Sequence, residues 1–164
     1  MPFIQRLRRL LPREPLIPRD PVVYRPIGVV RNRVRAMGFS DWSDLGSDIV
    51  LHEDLASALD FLDGFSHVIV VFHLDRVPES ERRVLLPVGH DASQPERGVL
   101  ATRSPLRPNA IGVSVARVLH RNKNVLRVKG LDAIDGTPVL DLKPYLPPYD
   151  SVPDATLPDW ALRR

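Results

Sequence analysis

The 164-residue chain contains no cysteine, which excludes disulfides, thiol nucleophiles and cysteine-held zinc or iron–sulfur centres together. No apolar run approaches the ~18 residues that cross a bilayer, and no uninterrupted apolar stretch near the start reads as a secretion signal. Neither a GxGxxG nor a P-loop pattern occurs, and there is no GxSxG elbow, so dinucleotide binding, phosphate cradling and serine hydrolysis by those routes lack support. The five histidines form no ligand set. His67 and His73 point the same way along one strand but stand roughly 20 Å apart at ~3.3 Å per residue, too far to share an ion. Ser66 and His67 are adjacent in a strand and face opposite sides, a poor nucleophile–base pair. The expectations are therefore no metal, no membrane and a reducing, cytoplasmic location.

What the sequence has in excess is proline, 17 of 164 residues, leaving proline-free windows only at 27–77 and 109–137. Long helices are confined to those windows. Apolar residues make up 43% and charged residues 26%, an ordinary globular balance at single-domain length.

The net charge of +3 conceals a segregation. Residues 1–35 hold nine Arg against Glu14 and Asp20; residues 36–75 hold eight carboxylates and no Lys or Arg; the remainder holds fourteen bases and ten acids. A basic arm beside an acidic stretch attracts a polyanion at one place and repels it at another. Residues 1–21 form a basic, proline-rich arm. Phe3, Ile4, Leu7, Leu10 and Leu11 lie at helical spacing among Arg6, Arg8 and Arg9 before Pro12, Pro15 and Pro18 stop the pattern. Residues 22–164 form the folded domain.

Within that domain, residues 26–35 (PIGVVRNRVR) and 49–51 read as strands. Residues 53–65, with Leu55, Leu59 and Leu62 at helical spacing and Gly64 as a cap, read as one helix. Residues 67–74 (HVIVVFHL) are a nearly continuous apolar run, the pattern of a strand buried on both faces. Residues 76–97 read as loop and 98–102 as a strand. Residues 111–119 and 125–131 form a hairpin about the 122–124 turn, and Asp135-Gly136 turns the chain into a strand at 138–142. Many short strands with one short helix predict an all-β fold, a small closed single-sheet barrel.

Two segments concentrate chemistry. Residues 101–112 (ATRSPLRPNAIG) make a proline-stiffened loop between strands that presents Arg103 and Arg107, and rigid guanidinium forks suit carboxylates or phosphates; pairing with Asp41 or Asp44 is the alternative. Residues 131–145 (LDAIDGTPVLDLKPY) set Asp132, Asp135 and Asp141 around a turn with Lys143 and Tyr145 behind. Such carboxylates hold a cation, accept protons or bind sugar hydroxyls, or simply make the turn.

Together with residues 62–73 (LDGFSHVIVVFH), these segments resemble the TrmO family, YaeB-like (TsaA-like) β-barrel methyltransferases that use S-adenosylmethionine on tRNA. The likeness runs from Pro26-Ile27-Gly28-Val29 through Gly64-Phe65-Ser66-His67, Ala101-Thr102-Arg103-Ser104, Arg107-Pro108-Asn109 and Ile111-Gly112. It continues to Asp132, Asp135-Gly136-Thr137-Pro138 and Asp141-Leu142-Lys143-Pro144-Tyr145. It implies a closed barrel acting as a homodimer, with S-adenosylmethionine as cofactor and S-adenosylhomocysteine as product. The implied acceptor is the exocyclic N6 of threonylcarbamoyladenosine beside the anticodon of tRNA. Carried over by position, cofactor contacts fall on His73, Leu74, Arg103, Val113, Lys129, Gly130, Leu131 and Asp132. A further contact falls on Met37, Gly38 and Phe39, in a segment (residues 35–46) that departs from the family pattern. Asp135 and His73 are the candidate bases, and Arg107, Asn109, Lys143 and Tyr145 the substrate contacts. The sequence stops at Arg164, before a second small domain that many bacterial members carry. The alternatives are a donor-binding barrel with another nucleoside or small-molecule substrate, and a non-catalytic RNA-binding or sensor module.

Overall fold

The computed structural model describes residues 20–36, 38–87 and 93–162. The greater part of the expected basic arm, residues 1–19, lies outside them, as does Met37.

Six antiparallel strands close into one barrel: β1 (Gly28–Arg31), β2 (Gly46–Leu51), β3 (His67–His73), β6 (Ile111–Asn122), β7 (Val125–Lys129) and β8 (Pro138–Pro144), in the order β1-β2-β7-β6-β3-β8. This is the expected all-β, single-sheet architecture. β4 (Leu85–Pro87) and β5 (Glu96–Gly98) form a separate two-stranded ribbon. The inward positions alternate along each strand as period-2 geometry requires, so Val30, Ile49, Val68, Val70, Leu126, Val128 and Val139 fill the interior with no exposure. Leu59 closes one end of this core and Leu131 the other.

Several elements differ from the sequence-based expectation. β3 is buried on one face only; its inward Val68, Val70 and Phe72 alternate with half-exposed Ile69 and Val71, because barrel closure leaves one face outward. The helix expected over residues 53–65 winds as 3₁₀ turns, Glu53–Leu59 and Leu62–Gly64, broken at Phe61 with φ of 67°. His52 supplies no capping side chain, and the tighter i→i+3 bonds, such as Leu55 N–H to His52 O at 3.0 Å, suffice to lay Leu59 across the barrel end. The strand expected at 98–102 survives only at Gly98; a 3₁₀ turn over Val99–Ala101 follows, and the supposed loop before it contains β4 and β5. Two four-residue α-helical turns, Pro147–Asp150 and Asp159–Leu162, trail the barrel. No helix among the described residues is long and apolar enough to cross a membrane.

The charge segregation resolves into pairs. Three carboxylates of the acidic stretch face bases on β6 and β7: Asp44 with Lys129 at 2.6 Å, Asp48 with Arg127 at 2.8 Å and Asp60 with Arg121 at 2.6 Å. Lys129 holds the Asp44 carboxyl below its ordinary pKa by a hydrogen bond and by its charge.

The topology decides where a site forms. β1, β3 and β7 all end, and β2, β6 and β8 all begin, at one end of the barrel. The connections 32–45, 74–110 and 130–137 therefore converge there. The opposite end holds the 3₁₀ turns, the tight 122–125 hairpin and Tyr145.

Gly28 marks where the sheet tolerates no side chain: a Cβ there would lie 2.3 Å from Val50 O and 2.8 Å from Leu51 Cα, both backbone atoms that cannot step aside. Gly28→Ala is expected to destabilise the protein by about 1–3 kcal/mol or more, read as a lowered melting temperature. Gly98→Ala, with nothing within 4 Å of its Cβ, is expected to melt near wild type.

Candidate functional site

The three converging connections enclose a cavity of about 620 Å³. Gly38, Phe39 and Trp42 come from the first connection, Leu74 to Val77 with Leu100, Thr102, Arg103, Pro105 and Arg107 from the second, and Asp132, Ala133, Ile134 and Thr137 from the third. The start of β6, Ile111 to Val113, and Phe72 of β3 complete the wall. Gly112 is required here because a Cβ would fall 2.2 Å from the Phe72 ring.

The guanidinium loop is fixed by its own hydrogen bonds. Arg107 donates from Nε to Ser104 O at 3.1 Å and from Nη2 to Thr102 O at 2.7 Å. Thr102 Oγ1 donates to Val99 O at 2.8 Å, and Thr102 Oγ1 and Ser104 Oγ accept from Ser104 N–H and Leu106 N–H. Arg107 thus ties the loop together while forming part of the wall. Arg103 is anchored by one bond, Nη2 to Val113 O at 2.7 Å, and its solvent-open guanidinium keeps four further N–H groups. Neither arginine ion-pairs with Asp41 or Asp44: Asp44 faces Lys129, and Asp41 accepts from Ser43 Oγ.

Asp132 lines the same cavity, within reach of the charge of Arg103. Leu131 and Ala133 on either side of it are buried in the core, which turns the intervening Asp132 outward into the cavity. Desolvation by the walls raises its pKa above the usual carboxylate value, and the charge of Arg103 pulls the other way. Phe39 and Trp42 meet edge to face at 4.9 Å on a third side. A cation-seeking carboxylate, an anion-seeking guanidinium and an aromatic pair around one hollow suit a zwitterionic ligand with a flat ring system.

Of the positions named from sequence, the structure brings Gly38, Phe39, Leu74, Arg103, Arg107, Val113 and Asp132 to this cavity. His73 is exposed at the end of β3, beside the lining residue Leu74. Asn109 is exposed in the same connection, and its carbonyl accepts from Ile111 N–H. Lys129, Gly130 and Leu131 lead into the third connection behind the wall; Gly130 makes the turn with φ of 84°, and Leu131 is core. Asp135 lies outside the cavity, its carboxylate buried against the first connection, where it accepts from Asn32 N–H and Arg35. Lys143 pairs with Asp141 at 2.6 Å on β8, and Tyr145 packs near His67 at the far end of the barrel. The three aspartates of the turn segment therefore point to three different places. Among the described residues no group of three His, Asp or Glu is placed to hold a metal.

Sequence reasoning did not single out Trp42, Phe72, Thr102, Ile134 or Thr137 as lining residues. Gly112 inside a strand pattern was the available signal for a close approach; the others carry no signature apart from the fold.

Comparison with known proteins follows the same segments. A family model described as the tRNA-methyltransferase O N-terminal domain matches residues 40–151. An S-adenosyl-L-methionine-binding protein of Archaeoglobus fulgidus is 36% identical over 135 residues, 80% of this chain and 94% of that protein. A tRNA (adenine(37)-N6)-methyltransferase of Escherichia coli is 39% identical over 105 residues, 62% of this chain and 45% of the enzyme. The crystal structure of TrmO from Pseudomonas aeruginosa superposes with a TM-score of 0.67 at 32% identity, covering 84% of this chain and 61% of the other. The chain thus spans about three fifths of that solved structure and less than half of the Escherichia coli enzyme.

The raised pKa of Asp132 has a stability signature. A carboxyl with a folded pKa above its unfolded one contributes stability below the unfolded value, near 3.8, and loses it as pH rises through the folded value. Asp132→Asn is therefore expected to melt higher than wild type at neutral pH, with the difference vanishing below pH 3.8; an equal gap at every pH would show that the carboxylate is not desolvated.

Proposed function

Because this chain belongs to the family of the tRNA-methyltransferase O N-terminal domain, we propose that it moves a methyl group from S-adenosylmethionine to the N6 nitrogen of adenosine 37 in tRNA, with threonylcarbamoyladenosine as the acceptor. The observation that carries the reading is that Arg103 and Asp132 line one cavity of ligand size, near enough for the charge of one to act on the other. The donor's carboxylate matches the Arg103 fork, its ammonium or ribose hydroxyls match Asp132, and its adenine matches the apolar wall with Phe39 and Trp42. When bound, the donor supplies an electrophilic methyl on a sulfonium.

The chain's part is alignment and charge management. Arg103 would hold the donor's carboxylate and Asp132 its ammonium or ribose hydroxyls, and Arg107 keeps the guanidinium loop rigid while lining the wall. His73, exposed beside Leu74 at the rim, would take up the proton that leaves the acceptor nitrogen. The basic arm and the exposed arginines of the same end, Arg76 among them, meet phosphates of the anticodon loop. The reaction belongs in the cytoplasm, where tRNA is modified.

A second copy completes this proposal. The outer face of β6 exposes Ile111, Val113, Val115 and Leu119 at 40–47%, next to half-exposed Ile69 and Val71 of β3. A barrel with an apolar outer face of this kind is covered by another molecule. Val115→Asp is expected to convert a dimer into a monomer by sedimentation; a wild-type protein that sediments as a monomer at high concentration overturns this part.

A second reading takes its support from the archaeal relatives, whose names speak of binding alone: a chain that holds the donor and transfers nothing. Mass spectrometry of anticodon-loop nucleosides, from cells lacking the gene and cells regaining it, separates the two. Regained N6-methylation of threonylcarbamoyladenosine supports transfer; an unchanged nucleoside profile sinks it. In vitro, Arg103→Ala is expected to weaken S-adenosylmethionine binding roughly ten- to a hundredfold, the equivalent of the ~1.5–3 kcal/mol of a charge-assisted hydrogen bond. Unchanged affinity removes Arg103 from the donor site.

A further inference from the structure

We propose that Asn32 and Asp135 are positioning residues of the donor cavity, acting through the 130–137 connection and touching neither donor nor acceptor. The inference rests on the donor reading above and assigns the element that sets the geometry of Asp132.

Buried polarity points to this place. Ser47, Asp135 and Thr137, at 0%, 8% and 3% exposure, are the polar residues buried among the described residues; Ser47 and Asp135 meet in one junction behind the cavity floor, and Thr137 lies beside it in the cavity wall. Asn32 is its hub. Its side-chain Nδ2 donates to Ser47 Oγ at 3.0 Å and to Ala133 O at 2.8 Å, its Oδ1 accepts from Val34 N–H at 2.9 Å, and its backbone N–H donates to Asp135 Oδ1 at 3.0 Å. Asp135 answers from the 130–137 connection: its N–H donates to Val34 O at 2.7 Å and its second carboxylate oxygen accepts from Arg35.

Four of these bonds, Asn32 Nδ2 to Ala133 O, Asn32 N–H and Arg35 to the Asp135 carboxylate, and Asp135 N–H to Val34 O, join the segment after β1 to the connection whose other side lines the cavity, while the Ser47 bond ties that segment to β2 and the Val34 bond to Asn32 Oδ1 stiffens it from within. Ala133 is the residue after Asp132, so Asn32 holds the carbonyl next to the carboxylate that meets the ligand. A junction needed only for stability has a simpler solution in apolar packing, since buried polar groups destabilise unless every member is satisfied. Directional bonds fix orientation, which packing alone does not. The acid suggested from sequence as a base thus has its oxygens engaged and faced away from the reacting space.

The test measures S-adenosylmethionine dissociation by calorimetry and steady-state kinetics for Asn32→Ala and Asp135→Ala, well below each variant's melting temperature. A donor Kd and donor KM raised roughly ten- to a hundredfold, with kcat at saturating donor reduced much less, is expected of a positioning role. Lower melting temperatures with unchanged donor Kd would mean a purely structural junction and overturn the inference. Loss of kcat at saturating donor with donor KM unchanged in Asp135→Asn would place that carboxylate among the reacting groups and overturn it as well. Should Asn32→Ala not fold, Asn32→Asp, which keeps the acceptor for Val34 and loses the donor to Ala133, is read by the same criteria. A wild-type protein that does not bind S-adenosylmethionine overturns the donor site itself, whereas bound wild type with unaffected variants overturns only the positioning role.

Discussion

The barrel closes at its thinnest seam. Between β1 and β8 only Gly28 and Val29 pair, with Val139 and Pro138, whereas β3 and β6 pair along the whole of β3. What lengthens the seam is hydrogen bonding outside the ladder: Val30 N–H to Thr137 O at 2.9 Å, Gly136 N–H to Val30 O at 2.8 Å and Asp135 N–H to Val34 O at 2.7 Å. Those bonds run through the segment that carries Asp132. Closing the sheet and setting the floor of the cavity are one physical event, which is why the connection that carries Asp132 is short and bonded to the segment after β1.

The electrostatics follow from the same closure. A −8 stretch and a basic second half are separated in sequence but adjacent in space, because β2 lies against β7 and the chain after β2 crosses beside β6. Exposed pairs such as Asp44 with Lys129 contribute little stability each, since water screens them. Their effect is to neutralise the flank, while Arg103 and Asp132 line the cavity without an ion-pair partner from that stretch.

Most of the barrel was legible because period-2 alternation and turn residues report directly on a sheet: the β6–β7 hairpin turns at Lys123 with φ of 52°, as the Asn-Lys-Asn signal indicates. The failures share a cause. Leu55, Leu59 and Leu62 repeat at helical spacing, yet the same spacing serves 3₁₀ turns that have only to place one leucine over a barrel end. The apolar run of β3 looked two-sided because hydropathy does not distinguish an interior from an outer face awaiting a neighbour. At the site, Arg103 and Asp132 were readable as unusual loop residues. Asn32 and Ser47 were not, since an asparagine after a strand and a serine within one are ordinary until tertiary structure shows what they face.

Ile111 and Val113 stand simultaneously in the cavity wall and on the apolar outer surface of β6. Were a second copy to cover that strand, it would restrict the wall within as well, and self-association and occupancy would become thermodynamically linked variables. An apparent affinity for a small molecule would then be a function of protein concentration, and titrations run dilute and concentrated would describe two different receptors.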